Sequence, residues 1–188
     1  MNESSKRNCW RVAAGLFAVA VLWAGCGPRE RAAVPYDLLF IDAMVAHHEG
    51  AVAMAEPADS NALHPELAEF ARKVIADQSR EIAMMKQWRD EWFAGRPKTP
   101  GIMGMPGMER SMMDISPDHM RMMKGAAFDR MFVDMMIPHH EGAVTMARDA
   151  LAKSQRPEIR ELAQAIIDAQ QAEIEMMNRW KSEWATAR

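Results

Sequence analysis

The tetrapeptide His-His-Glu-Gly occurs twice, at His47-His48-Glu49-Gly50 and at His139-His140-Glu141-Gly142, and takes up four of the six histidines in the chain. Met44 stands three residues before His47 and four before His48, so on a helix its thioether shares their face. Met136 stands in the same relation to His139 and His140. Met54 and Met146 follow the two pairs. Imidazole is a good ligand for first-row metals, and a thioether is a soft one that selects Cu(I) or Ag(I). The two cysteines are Cys9 and Cys26, so the chain beyond them can hold neither a disulfide nor a thiolate zinc site. A mixed Met/His donor set without thiolate points to copper ahead of zinc or iron. The opposing reading is hydrogen-bonded packing. Adjacent residues on a helix point about 100° apart, so each histidine pair then needs two separate partners, which Gln78, Glu81, Gln170 and Glu173 could provide.

Glu81 and Glu173 lie on apolar helical stripes, where a carboxylate must be paired or bound to a cation. Di-iron bundles also turn Glu and His inward, but through a Glu-x-x-His motif that is missing here. Holding a histidine through its other ring nitrogen suits both glutamates better. A second candidate metal site is the run Met103, Met105, Met108, Met112, Met113, His119, Met120, Met122 and Met123, set among few other apolar residues. A flexible thioether arm would collect Cu(I), and a Met-rich surface for promiscuous peptide recognition is the alternative. Met84, Met85, Met176 and Met177 fit core packing equally well.

These residues are positioned by a duplication. The segment FIDAMVAHHEGAVAMA from Phe40 returns 92 positions later as FVDMMIPHHEGAVTMA from Phe132, and the same offset maps Pro65 to Pro157, Glu81 to Glu173, Trp88 to Trp180 and Trp92 to Trp184. In each copy the first motif recurs apolar at spacings of three and four, as one face of a helix. A second stripe, Leu67, Phe70, Ala71, Val74, Gln78, Glu81, Ile82, Met85, Trp88 and Trp92, predicts another. Pro65 and Pro157 fit first helical turns. A hairpin that leaves one face uncovered is completed by its duplicate, so the expected fold is all-α, a four-helix bundle with pseudo-twofold symmetry. The expected division is a first hairpin over 36–94, a Met-rich linker over 95–123 and a second hairpin over 124–186. The Gly/Pro-rich start of the linker reads as mobile, and Ser116-Pro117 as a turn into the third long helix.

Lys6, Arg7 and Arg11, an apolar stretch from Val12 to Gly25 and then Cys26 follow the order of an export signal. Residues 1–25 are therefore expected to be removed. Leu22-Trp23-Ala24-Gly25-Cys26 resembles a bacterial lipoprotein signal with Cys26 as the lipidated new N-terminus, although Trp23 departs from the small aliphatic residue usual there. The predicted location is the periplasm or cell envelope. With 26% charged residues, 7% aromatics and a formal net charge of -3, the composition argues against a nucleic-acid partner. The 19 methionines in 188 residues exceed what gap-filling needs. No Ser/His/Asp arrangement, phosphate loop or acid-base pair suggests an enzyme.

The repeated HHEGAVAMA with a downstream Q-x-x-E-I-x-x-M-M-x-x-W resembles the domain-of-unknown-function 305 (DUF305) family between about Tyr36 and Trp184. The resemblance implies a ferritin-like helical bundle and a likeness to periplasmic copper-binding proteins of the CopM type. Carried over by motif, it implies Met44, His47, His48 and Met54, with Met136, His139, His140 and Met146, as ligands. The expected function is extracytoplasmic binding of Cu(I) or Ag(I) for tolerance, storage or transfer. The alternatives are a structural envelope lipoprotein and a metal-dependent redox enzyme. The spacing leaves open whether each repeat binds its own ion or the two share, and which protein would deliver the metal.

Overall fold

The computed structural model describes residues 33–111 and 117–186, so the export segment, Cys26, Met112, Met113 and Ser116 lie outside it. The described residues form helices and no strand. Four long helices dominate: α1 (Tyr36–Ala55), α3 (Pro65–Trp92), α5 (Gly125–Lys153) and α6 (Pro157–Thr186). Two short ones, α2 (Ala58–Asn61) and α4 (Pro117–Met122), and 3-10 turns at Ile102–Gly104 and Met108–Ser111, lie between them. α1 packs on α3 and α5 on α6, and α1 packs on α5 to join the two hairpins. The expected all-α bundle is thus present, and Pro65 and Pro157 each open a helix.

The two copies differ where their sequences differ. Pro57 cannot donate to the carbonyl four residues back, so α1 ends at Ala55 and the chain turns into α2. At the equivalent position α5 carries Asp149 and continues to Lys153. Pro138, by contrast, sits inside α5 directly before His139.

The apolar core falls into two clusters. One gathers Phe40, Ile41 and Met44 of α1 with Met85 of α3, Met146 and Ala150 of α5 and Ile159 of α6. The other gathers Met54 of α1 with Phe70 of α3, Phe128, Phe132 and Met136 of α5 and Met177 of α6. The start of α1 therefore meets the end of α5 and the reverse, an antiparallel arrangement that leaves the histidine pairs at the level between the clusters. Burying each of these large side chains contributes roughly 1.5–3 kcal/mol. Because α1 has core on several sides, its span to Asn61 is apolar and long enough to cross a membrane by length and composition, yet 56% of that window is buried within the fold.

The described residues of the linker are docked on the bundle, where the glycines and prolines at its start suggest a mobile arm. Met105 and Met108 are buried in the first cluster and Met120 in the second. Thr99 is fastened to Asp42, whose carboxylate accepts from the Thr99 N–H at 2.9 Å and hydroxyl at 2.6 Å and from Arg89 at 2.6 Å. Burial pushes the Asp42 carboxyl up, but these bonds and the Arg89 charge outweigh it and hold the group below its ordinary value.

Candidate metal centre

The 100° step between neighbouring helical residues sends the members of each histidine pair in different directions. His47 of α1 points to the other repeat and meets His139 of α5, with ring centroids 3.8 Å apart and planes tilted by 47°. His48 points to its own hairpin and pairs through Nε2 with Glu81 Oε2 of α3 at 2.6 Å. His140 pairs in the same way with Glu173 Oε2 of α6 at 2.9 Å. All four imidazoles are buried, none exposed by more than 1%. The two glutamates singled out from sequence thus hydrogen-bond the histidines. Gln78 and Gln170 do not; both are buried, and their side-chain carbonyls have no protein partner.

The glycine of each motif makes room for the opposite repeat. A Cβ on Gly50 would lie 3.3 Å from His139 Nε2, and one on Gly142 would lie 3.2 Å from His47 Nε2. The Gly142 side is also covered by the linker. Gly107, at φ +94°, passes so close that a Cβ on Gly142 would come within 2.6 Å of its carbonyl oxygen. An Arg110–Glu141 ion pair at 2.6 Å fastens the same turn.

The electrostatics keep the central rings neutral. Burial, followed by the neighbouring His139, His48 and His140, pushes the His47 imidazole well below its ordinary value. A contact with the His139 backbone, outside hydrogen-bond geometry, opposes this weakly. Burial, followed by His140 and His48, does the same to His139. Burial raises the Glu173 carboxyl, but the His140 hydrogen bond and charge, with help from Lys73, outweigh it and lower it. A carboxylate only accepts, so toward an ionised glutamate His48 and His140 donate from Nε2, and on a neutral ring that leaves the lone pair on Nδ1.

Both nitrogens of His47 and His139, and Nδ1 of His48 and His140, are buried without a protein hydrogen-bond partner. A buried polar atom left unpaired costs about 1–3 kcal/mol, so six of them at one level of a bundle demand an explanation. Neutral imidazoles with free lone pairs are metal ligands. Among the described residues no three His, Asp or Glu side chains converge as a metal-holding group, so a softer donor must complete any such set. The buried thioethers flanking the rings are Met44 and Met146 in one cluster and Met54 and Met136 in the other. Each cluster thus contains one of the four implied methionines from each repeat.

The linker candidates scatter. Met105, Met108 and Met120 are buried, Met123 packs against the second cluster, Met103 and Met122 are exposed, and His119 lies on the exposed side of α4. Sequence reasoning also passed over His64 and Asp129. The buried Asp129 carboxylate accepts from the backbone N–H groups of Leu63 and His64 and contacts His64 Nδ1 at 2.5 Å, while His64 stacks on Trp184 at 4.3 Å. The repeat offset would have revealed them, because the equivalent positions hold Asp37, Arg156 and Trp92. There Arg156 pairs with Asp37 at 3.3 Å and stacks on Trp92 at 4.1 Å.

Comparison with known proteins finds relatives of the same helical fold. The structure of CopM in the Cu(I)-bound form is 38% identical, covers 80% of this chain and 99% of its own, and superposes with a TM-score of 0.66. CopM in the Ag-bound form, obtained by co-crystallisation, is 40% identical over 79% of this chain and 96% of its own, with a TM-score of 0.66. A DUF305 fragment from Deinococcus radiodurans is 26% identical over 80% of this chain and 98% of its own, also at 0.66. A curated relative, the uncharacterized protein L153 of Acanthamoeba polyphaga mimivirus, is 42% identical over 50 residues; the match covers 27% of this chain and 33% of that protein. The profile of the domain of unknown function DUF305 matches residues 37–181, and the chain belongs to that family.

Proposed function

We propose that this protein is an extracytoplasmic copper-binding protein that holds Cu(I), and by the same chemistry Ag(I), for tolerance, storage or transfer. One observation carries the reading: six buried imidazole nitrogens lack a protein partner at a level where both repeats also bury thioethers. His47, His48, His139 and His140 would provide the nitrogen donors, and Met44, Met54, Met136 and Met146 the soft donors. Glu81 and Glu173 fix the tautomer of the outer rings. Thioethers are soft donors, so the set favours Cu(I) over Zn(II). That CopM structures contain Cu(I), Cu(II) and Ag supports the choice of metal. The export pattern at the start of this chain, ending at Cys26, supports a location outside the cytoplasm with a lipid anchor to the membrane.

The test is copper stoichiometry and affinity under reducing and oxidising conditions, for the parent and for a variant with His47, His48, His139 and His140 changed to alanine. Tight Cu(I) binding by the parent that the variant loses is the expected result. Equal binding by both would refute the assignment.

A further inference from the structure

The two outer glutamates have identical roles toward their histidines and different surroundings. On the second-repeat side, Lys73 of α3 places its ammonium 3.1 Å from Glu173 Oε1 and is steadied by Asp77 at 2.7 Å. The position equivalent to Lys73 by the repeat offset is Ala165 on α6, which is exposed and cannot cap Glu81. Instead Glu81 opens onto a groove of about 510 Å³ between α3 and α6. Asp77, Glu158 and Glu161 line it together with Arg80 and Met84, so carboxylates outnumber cations. Met84 is among the exposed large apolar side chains, at 37%, and the Glu81 side chain is 20% exposed against 10% for Glu173.

We infer that this groove is the route by which a soft cation reaches the buried histidines, through Glu81 to His48, and that Lys73 closes the equivalent route at Glu173. The inference rests on the metal-binding reading above. The groove has the two features an approaching Cu(I) or Ag(I) needs: a negative field that raises its local concentration and an exposed thioether to take it from solvent. At its floor a single hydrogen-bonded step, 2.6 Å long, leads to a fully buried imidazole. The Glu173 side opposes the same cation with an ammonium. The Gly142 side is covered by the linker backbone.

The test is the rate of Ag(I) uptake by the full chain, followed by tryptophan fluorescence after rapid mixing with silver nitrate, with equilibrium stoichiometry measured alongside. Ala165→Lys builds the missing cap at an exposed helical position. Weakening the groove's field and capping Glu81 should slow uptake about 10-fold, within the range by which charged clefts alter on-rates, with stoichiometry unchanged. Lys73→Ala opens the second route and should speed uptake about twofold, the increase expected when a second equivalent cleft of this kind becomes available. Uptake at the parental rate in both variants overturns the route while leaving metal binding intact. If the parent takes up no Ag(I) at equilibrium, the functional reading falls and the route with it. Should Ala165→Lys unfold the protein, Lys73→Ala decides: faster uptake supports the route and an unchanged rate overturns it.

Discussion

The two motif glycines are equivalent by sequence and unequal by surroundings, which gives a sharp test of the packing described here. Replacing either by alanine removes a helix-interior glycine, worth roughly 1 kcal/mol in favour of the folded state. At Gly50 the new methyl group meets only His139 Nε2, at 3.3 Å, and a ring can yield by a few tenths of an ångström. Gly50→Ala should therefore stay within about 1 kcal/mol of the parent, the propensity gain offsetting the squeeze. At Gly142 the methyl group would lie 2.6 Å from the Gly107 carbonyl oxygen, 3.2 Å from Arg110 Cβ and 3.2 Å from His47 Nε2. The first obstacle is backbone, so the linker turn must lift. Overpacking of this kind costs about 1–3 kcal/mol, and a rigid obstacle puts it at the upper end, leaving Gly142→Ala destabilised by about 2 kcal/mol. For a domain of this size that is a fall in Tm of about 4–8 °C. Thermal and urea unfolding of the metal-free protein measure both. Equal stability of the two variants would refute the linker's close approach over Gly142.

Acid should destabilise the metal-free fold. His47 and His139 are held neutral in the folded state, so the unfolded chain binds more protons below about pH 6.5, and stability is fully present above that value and lost as pH falls, at up to ~1.4 kcal/mol per pH unit for each ring. Urea midpoints across pH 7 to 5 check this, and a flat profile would contradict neutral burial. Asp129→Ala leaves two backbone N–H groups and His64 without their acceptor and should cost about 3–5 kcal/mol in chemical denaturation. Met105→Ala and Met108→Ala should each cost about 2–5 kcal/mol because both side chains are buried, whereas Met103→Ala and Met122→Ala should change stability by no more than ~0.5 kcal/mol. Equal effects across the four would mean that the linker does not dock as described.

The helices were legible because each of their signals was local. Spacings of three and four placed Phe40, Met44 and His47 on one face, and Pro65 and Pro157 marked starts that the structure reproduces. The partition of Glu81 and Glu173 to His48 and His140 was also within reach, since the repeat demanded two equivalent partners. The direct meeting of His47 and His139 was not, because the sequence leaves open how one hairpin docks on the other. The linker misled for a related reason. Glycine and proline report backbone freedom in isolation, whereas Met105 and Met108 are fixed by apolar surface supplied from α1 and α5. His64 and Asp129 escaped notice because the duplicate of their pair uses arginine in place of histidine, which hides the equivalence from a search for identical residues.

The contact at the centre is self-complementary: His47 lies against Gly142 as His139 lies against Gly50. That reciprocity is the signature of an isologous interface, the kind two identical subunits form about a twofold axis. Separate hairpins could bury the same faces by pairing, but every feature of one would be copied in the other. Joining them in one chain removes that constraint. A lysine can then stand on one flank and an alanine on the other, and a single connecting segment can shield one side of the axis alone. Fusion thus permits polarity, giving a symmetric interior two distinguishable sides.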